Sequence, residues 1–60
     1  MLTEERHRKI IEWLERDGLV KSQDLIQWLD SSESTIRRDL QELENLQMLE
    51  RVHGGAKRPQ

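Results

Sequence analysis

Ser32-Glu33-Ser34-Thr35-Ile36-Arg37-Arg38-Asp39-Leu40 is the stretch on which the fold turns. A serine followed by an acid is a helix start: the hydroxyl accepts from a free backbone N–H, and Glu33 lies at the positive end of the helix dipole. Ile36, Leu40 and Leu43 follow at i, i+4 and i+7, one stripe of a helix running from about Glu33 to about Asn45. At about 100° per residue, Ser34, Arg38, Gln41 and Asn45 lie nearly opposite that stripe, with Arg37 on its flank.

Working back towards the N-terminus, Asp30-Ser31 reads as a turn, because aspartate tolerates positive φ. Before it lies a short helix that Ser22 can cap, with Leu25, Ile26, Trp28 and Leu29 as its buried face. A longer helix starts after Thr3, whose hydroxyl is the candidate cap. It carries Glu4 and Glu5 in its first turn and buries Ile10, Ile11 and Leu14 beside Trp13. Gly18 is its left-handed stop, and Leu19-Val20 leave room for a very short strand that needs a partner. Beyond the third helix the apolar rhythm of Leu46, Met48, Leu49 and Val52 is nearer two than 3.6. Leu49-Glu50-Arg51-Val52 reads as a strand, Gly54-Gly55 as a hairpin turn, and Ala56-Lys57-Arg58 as a returning strand limited by Pro59. The expectation is one domain over residues 1–60, mainly α with a small β-hairpin: a three-helix, winged helix-turn-helix.

A brace helix, a turn and a basic helix are what a reader of duplex DNA needs to present to the major groove. Arg38 and Arg37 are candidates for guanine edges or phosphates, and Ser34 and Gln41 for adenine or backbone contacts. Ser32 and Thr35 lie where helix N–H groups suit a phosphate, although Thr35 can equally bond a backbone carbonyl. Asp39, on the edge of the buried face, is expected to orient an arginine such as Arg51 or Arg37, since phosphates would repel it. In the wing, His53, Lys57 and Arg58 are candidates for contacts to the DNA backbone or minor groove. His53-Gly54-Gly55 then serves both as turn and as tip.

Composition tests this reading. The net charge of −2 is not that of an obvious nucleic-acid binder, but the charges are segregated. Residues 51–60 hold Arg51, Lys57 and Arg58 and no acid, whereas residues 40–50 hold Glu42, Glu44 and Glu50 and no base. There is no cysteine to supply a disulfide or thiolate site, and His7 and His53 are too few and too far apart for zinc. No cofactor is expected. No nucleophile triad or phosphate loop points to an enzyme, and His53 has no evident acid–base partner. No run reaches the length of a membrane span and no signal-peptide h-region opens the chain, so a cytoplasmic protein is expected. The other class to weigh is a winged-helix protein-interaction module, for which Glu12, Glu15, Asp17, Glu42 and Glu44 would form the acidic surface.

Taken together, the chain resembles the N-terminal DNA-binding domain of the DeoR-type bacterial transcription regulators. The likeness runs from Glu5-Arg6 and Ile10 through Gly18 and Leu25. It includes Ser32 with Thr35-Ile36-Arg37-Arg38-Asp39-Leu40, and ends in Arg51-Val52-His53-Gly54-Gly55-Ala56. The resemblance implies a winged helix-turn-helix that reads operator DNA for a regulator, a repressor of sugar or related catabolic genes. It also implies a separate C-terminal domain sensing a phosphorylated sugar, with no counterpart in these 60 residues. The parent is then expected to be oligomeric and the isolated domain monomeric. Three positions depart from the family pattern: Ser31 where an apolar turn residue is usual, Gln47 where glycine is usual, and Lys21 where helix 2 usually begins with serine. Ser31 is expected to loosen helix 2 on helix 3. Gln47 must take a costly positive φ or reroute the connection.

Overall fold

A computed structural model describes residues 1–60. Helix α1 spans Thr3–Asp17, strand β1 Leu19–Lys21, α2 Ser22–Trp28, α3 Glu33–Asn45, β2 Glu50–Val52 and β3 Gly55–Lys57. The strands form one antiparallel sheet in the order β1-β3-β2. Leu19-Val20 therefore find their partner: Val20 lies opposite Ala56, and Ala56 opposite Arg51. The wing is built onto the helical body through β1.

The helix ends follow from local chemistry, with two corrections. Ser32 caps α3 as the sequence suggests, its Oγ accepting from the Thr35 N–H at 3.2 Å. Thr3 does not cap α1. It is already helical, its hydroxyl accepts from Arg6 Nη2 at 3.1 Å, and Glu5 reaches back to the Leu2 N–H at 3.0 Å. Ser22 does not cap α2 either. It is already the first helical residue, and its own N–H, one of the free donors at the helix start, donates to the Gly54 carbonyl of the wing turn at 2.9 Å.

Two non-glycine residues hold left-handed conformations, and both close helices. After α2, Asp30 (φ 49°) lets the Ser31 N–H return to the Ile26 carbonyl. After α3, Gln47 (φ 61°) lets the Met48 N–H return to the Leu43 carbonyl. Each is a six-to-one helix stop of the kind that glycine usually makes. Gln47 thus takes the costly option rather than rerouting the chain. Ser31 is half-buried, with its hydroxyl satisfied by the Leu29 carbonyl at 3.1 Å.

The core gathers Ile10 and Leu14 of α1, Val20 of β1, Leu25 and Leu29, the Ile36–Leu40–Leu43 stripe, Leu49 and Ala56. Burying each of the larger side chains contributes about 1.5–3 kcal/mol. Trp28 departs from expectation: it is 51% exposed and rests edge-on against Trp13, with ring centroids 5.0 Å apart. The hairpin turn also shifts by one residue. Its two loop residues are His53 and Gly54, the latter at φ 80°, while Gly55 is the first residue of β3. Gly55 answers a different need. A Cβ there would overlap the Val20 carbonyl oxygen and press on Lys21 Cα at 3.1 Å, so its missing side chain lets β1 and β3 approach.

Candidate nucleic-acid interface

The N-terminal half of α3, the start of α2 and the wing enclose a cleft of about 830 Å³. Lys21 and Gln23 enter it from the start of α2, Glu33 and Arg37 from the first turns of α3, and Arg51, His53 and Gly54 from the wing. The only acid on this surface is Glu33, whose carboxylate receives Arg37 Nη2 at 2.8 Å. A chain that is acidic overall thus turns a cationic concavity outward, and the field of such a cleft favours a polyanion.

The α3 residues singled out from the sequence occupy one exposed end and flank. Ser32, Ser34 and Thr35 cluster at its N-terminus, where the Ser32 hydroxyl lies 3.2 Å from that of Ser34 and 2.9 Å from that of Thr35. Arg38 is exposed and, unlike Arg37, has no ion-pair partner. Gln41 is exposed, but its amide is occupied. Nε2 donates to Asn45 Oδ1 at 3.1 Å and lies 3.4 Å from Glu44 Oε1, while Oε1 accepts from Arg51 Nη1 at 3.3 Å.

The wing residues divide. His53 stands exposed in the turn, at the mouth of the cleft. Lys57 lies outside the cleft, with Nζ 3.3 Å from Glu50 on the neighbouring strand. Arg58 turns away altogether. Its Nη2 donates to the Glu15 carbonyl at 2.5 Å, and its backbone N–H donates to the Gly18 carbonyl at 3.3 Å. It occupies the negative end of α1, where a cation relieves unpaired carbonyls.

Asp39 orients an arginine, but not either of those expected. It is 1% exposed and receives Arg6 Nε at 2.5 Å and Nη2 at 3.2 Å, with His7 Nε2 3.2 Å from Oδ1. The hydrogen bond to Asp39 raises the guanidinium pKa above its ordinary value. His7, Asp39 and Glu42 bring potential metal-ligand atoms within 4.8 Å of one another, but Arg6 already engages both Asp39 oxygens. The guanidinium supplies the positive charge that the buried carboxylate requires.

Lys21, Gln23 and Arg51 line the cleft without being singled out for it by the sequence pattern. Lys21 was visible as the residue in place of the usual serine, and Arg51 as one base of an acid-free tail. Only pairing of β1 with β3 brings both to one cleft.

The DeoR-like helix-turn-helix domain matches residues 6–60 of the chain. Among curated proteins, the chain is 57% identical over 56 residues to an uncharacterized HTH-type transcriptional regulator, FruR, of Bacillus subtilis, a match covering 93% of the chain and 22% of that protein. It is 46% identical over 54 residues to the glycerol-3-phosphate regulon repressor of Haemophilus influenzae, covering 90% of the chain and 21% of that repressor. To the lactose phosphotransferase system repressor of Streptococcus mutans it is 40% identical over 57 residues, covering 95% and 23%. The chain thus spans about a fifth of the length of these relatives. No solved structure matches it. A family match over nearly the whole chain, on three helices and a three-stranded wing sheet, makes this chain a member of the DeoR-like helix-turn-helix domain family.

Proposed function

We propose that this domain binds duplex operator DNA sequence-specifically, as the reading head of a regulator that represses genes of sugar or related catabolism. The observation that carries this reading is the combination of a cationic cleft with the free guanidinium of Arg38 on the adjoining outer face of α3. Helix α3 enters the major groove by its N-terminal half. Arg38 and Arg37 contact guanine edges or phosphates there, and Ser32, Ser34 and Thr35 meet the backbone. The wing, with His53 at its tip, follows the backbone or minor groove alongside. The repressor half of the reading draws on two relatives, named for glycerol-3-phosphate and lactose phosphotransferase regulation. The parent acts as a cytoplasmic oligomer, while the isolated domain is monomeric.

Selection of duplexes from a random-sequence pool tests the reading, followed by titration of the recovered sequence and of a scrambled one at several salt concentrations. A specific reader prefers the recovered duplex, and log K falls with log salt at about 0.9 per phosphate engaged. No enrichment, together with salt-insensitive association, rejects it.

A further inference from the structure

We propose that Arg51, at the base of the wing, is a phosphate-contacting residue of the interface and that Gln41 is its positioning residue rather than a base reader. This rests on the DNA-binding reading above.

The saturation of the Gln41 amide carries the assignment. Its oxygen faces the Arg51 guanidinium, and its nitrogen faces the Asn45 side-chain oxygen and the Glu44 carboxylate. The amide cannot be turned over, because that would set its oxygen against a carboxylate and its NH2 against a guanidinium. Bidentate recognition of adenine needs both ends of the amide at once, so Gln41 cannot read a base without abandoning three contacts. Glu44 closes the network by accepting from the Arg51 backbone N–H at 3.0 Å. Two side chains of α3 thereby clamp strand β2.

Arg51 is held but not neutralised. Its side chain forms no ion pair, unlike Arg37 with Glu33 or Lys57 with Glu50. The buried Nε has no hydrogen-bond partner, and Nη1 is taken by a neutral amide. A positive charge without an ionic partner therefore remains on Arg51, a half-buried residue lining the cationic cleft. With one Nη1 N–H engaged and Nε enclosed, the two N–H groups of Nη2 and the second of Nη1 are the donors left for a ligand. Those donors suit phosphate oxygens, and Arg51 stands on strand β2 rather than on the helix proposed to meet the base edges. Because Gln41 and Arg51 join α3 to the wing, the phosphate held by Arg51 stands in a set relation to the bases met by α3.

The test is a double-mutant cycle with the 60-residue chain on two probes, the selected duplex and a scrambled duplex of equal length. Thermal melts confirm folding of each variant. Arg51→Ala is expected to weaken both duplexes by roughly tenfold, the worth of one charge-assisted contact, and to make the salt slope shallower by about 0.9. Gln41→Ala is expected to weaken both by a few-fold, to leave the ratio between them unchanged, and to add nothing in the Arg51→Ala background. Arg51→Lys should keep the salt slope, since the charge stays, and lose its sensitivity to Gln41. The assignment is overturned if folded Arg51→Ala binds as the parent does. It is equally overturned if Gln41→Ala changes preference for the selected duplex when Arg51 is already alanine. Either result leaves the DNA-binding reading standing, whereas a parent chain that prefers no duplex removes that reading itself.

Discussion

Arg6, near the start of α1, and Asp39, in the middle of α3, form a two-point ion pair across the domain, with Nε to Oδ2 at 2.5 Å and Nη2 to Oδ1 at 3.2 Å. The carboxylate is 1% exposed, and the arginine side chain 12%. An acid next to two arginines on the helix proposed to meet DNA invites the idea that it tunes one of them. The pairing instead joins α3 to α1 from the buried side and leaves Arg37 and Arg38 on the other. Removing one partner should therefore harm the fold. Arg6→Ala leaves a buried, uncompensated charge and should destabilise the domain by about 3–5 kcal/mol. A melt within 1 kcal/mol of the parent, taken as about the measurement's useful resolution, would show that water or His7 replaces the guanidinium.

Gly55→Ala should separate the two wing glycines by mechanism. The added Cβ meets backbone, the Val20 carbonyl oxygen, so β1 and β3 must part. A loss of more than about 2 kcal/mol is expected, in the range of severe core strain. Gly54→Ala meets no atom within 4 Å and is limited by its φ of 80°, at about 1–2 kcal/mol. Urea denaturation of the two variants compares them directly. Equal losses would argue against the close approach of β1 and β3.

Gln47→Gly is expected to stabilise the domain. Gln47 holds φ 61° at the end of α3, a conformation costing a non-glycine residue about 1–2 kcal/mol. Glycine relieves that strain but gives back roughly 0.5–1 kcal/mol through unfolded-chain entropy. A net gain of about 0.5–1 kcal/mol should appear as a higher melting temperature with DNA binding unchanged.

Arg38→Ala should leave the melt in place, because the side chain is exposed and unpaired. Its expected cost is about 1–3 kcal/mol in binding the selected duplex, with a smaller effect on a scrambled one. Equal losses on both would make Arg38 a phosphate contact.

Lys57→Ala and Arg58→Ala should differ from each other. The Arg58 side chain holds the Glu15 carbonyl at the C-terminal end of α1, so its loss should lower stability by about 0.5–2 kcal/mol and barely alter DNA affinity. Lys57 shares its charge with Glu50, and its removal should weaken any duplex slightly and leave the melt nearly unchanged. If Arg58→Ala instead melts with the parent and binds DNA less tightly, the side chain leaves α1 in the complex.

Much of this domain was legible along the chain. Ile36, Leu40 and Leu43 set the inner face of α3, and with it the exposure of Arg38, because helical spacing alone settles which side chains share a face. Ser32 and Gly18 ended their helices by local hydrogen bonding and backbone freedom, both properties of a few adjacent residues. The tertiary structure decided whatever depended on an acceptor or a charge from elsewhere. The Ser22 N–H at the start of α2 found its acceptor in the carbonyl of Gly54, far along the chain. Asp39 took Arg6 rather than a neighbouring arginine, and Arg58 left the wing for the end of α1. The two glycines of the wing looked alike in sequence, yet one serves a turn and the other a strand crossing that only β1 creates. Spacing fixes the direction of a side chain along its own helix or strand; the partner it meets depends on which distant segment packs there, and no local pattern encodes that.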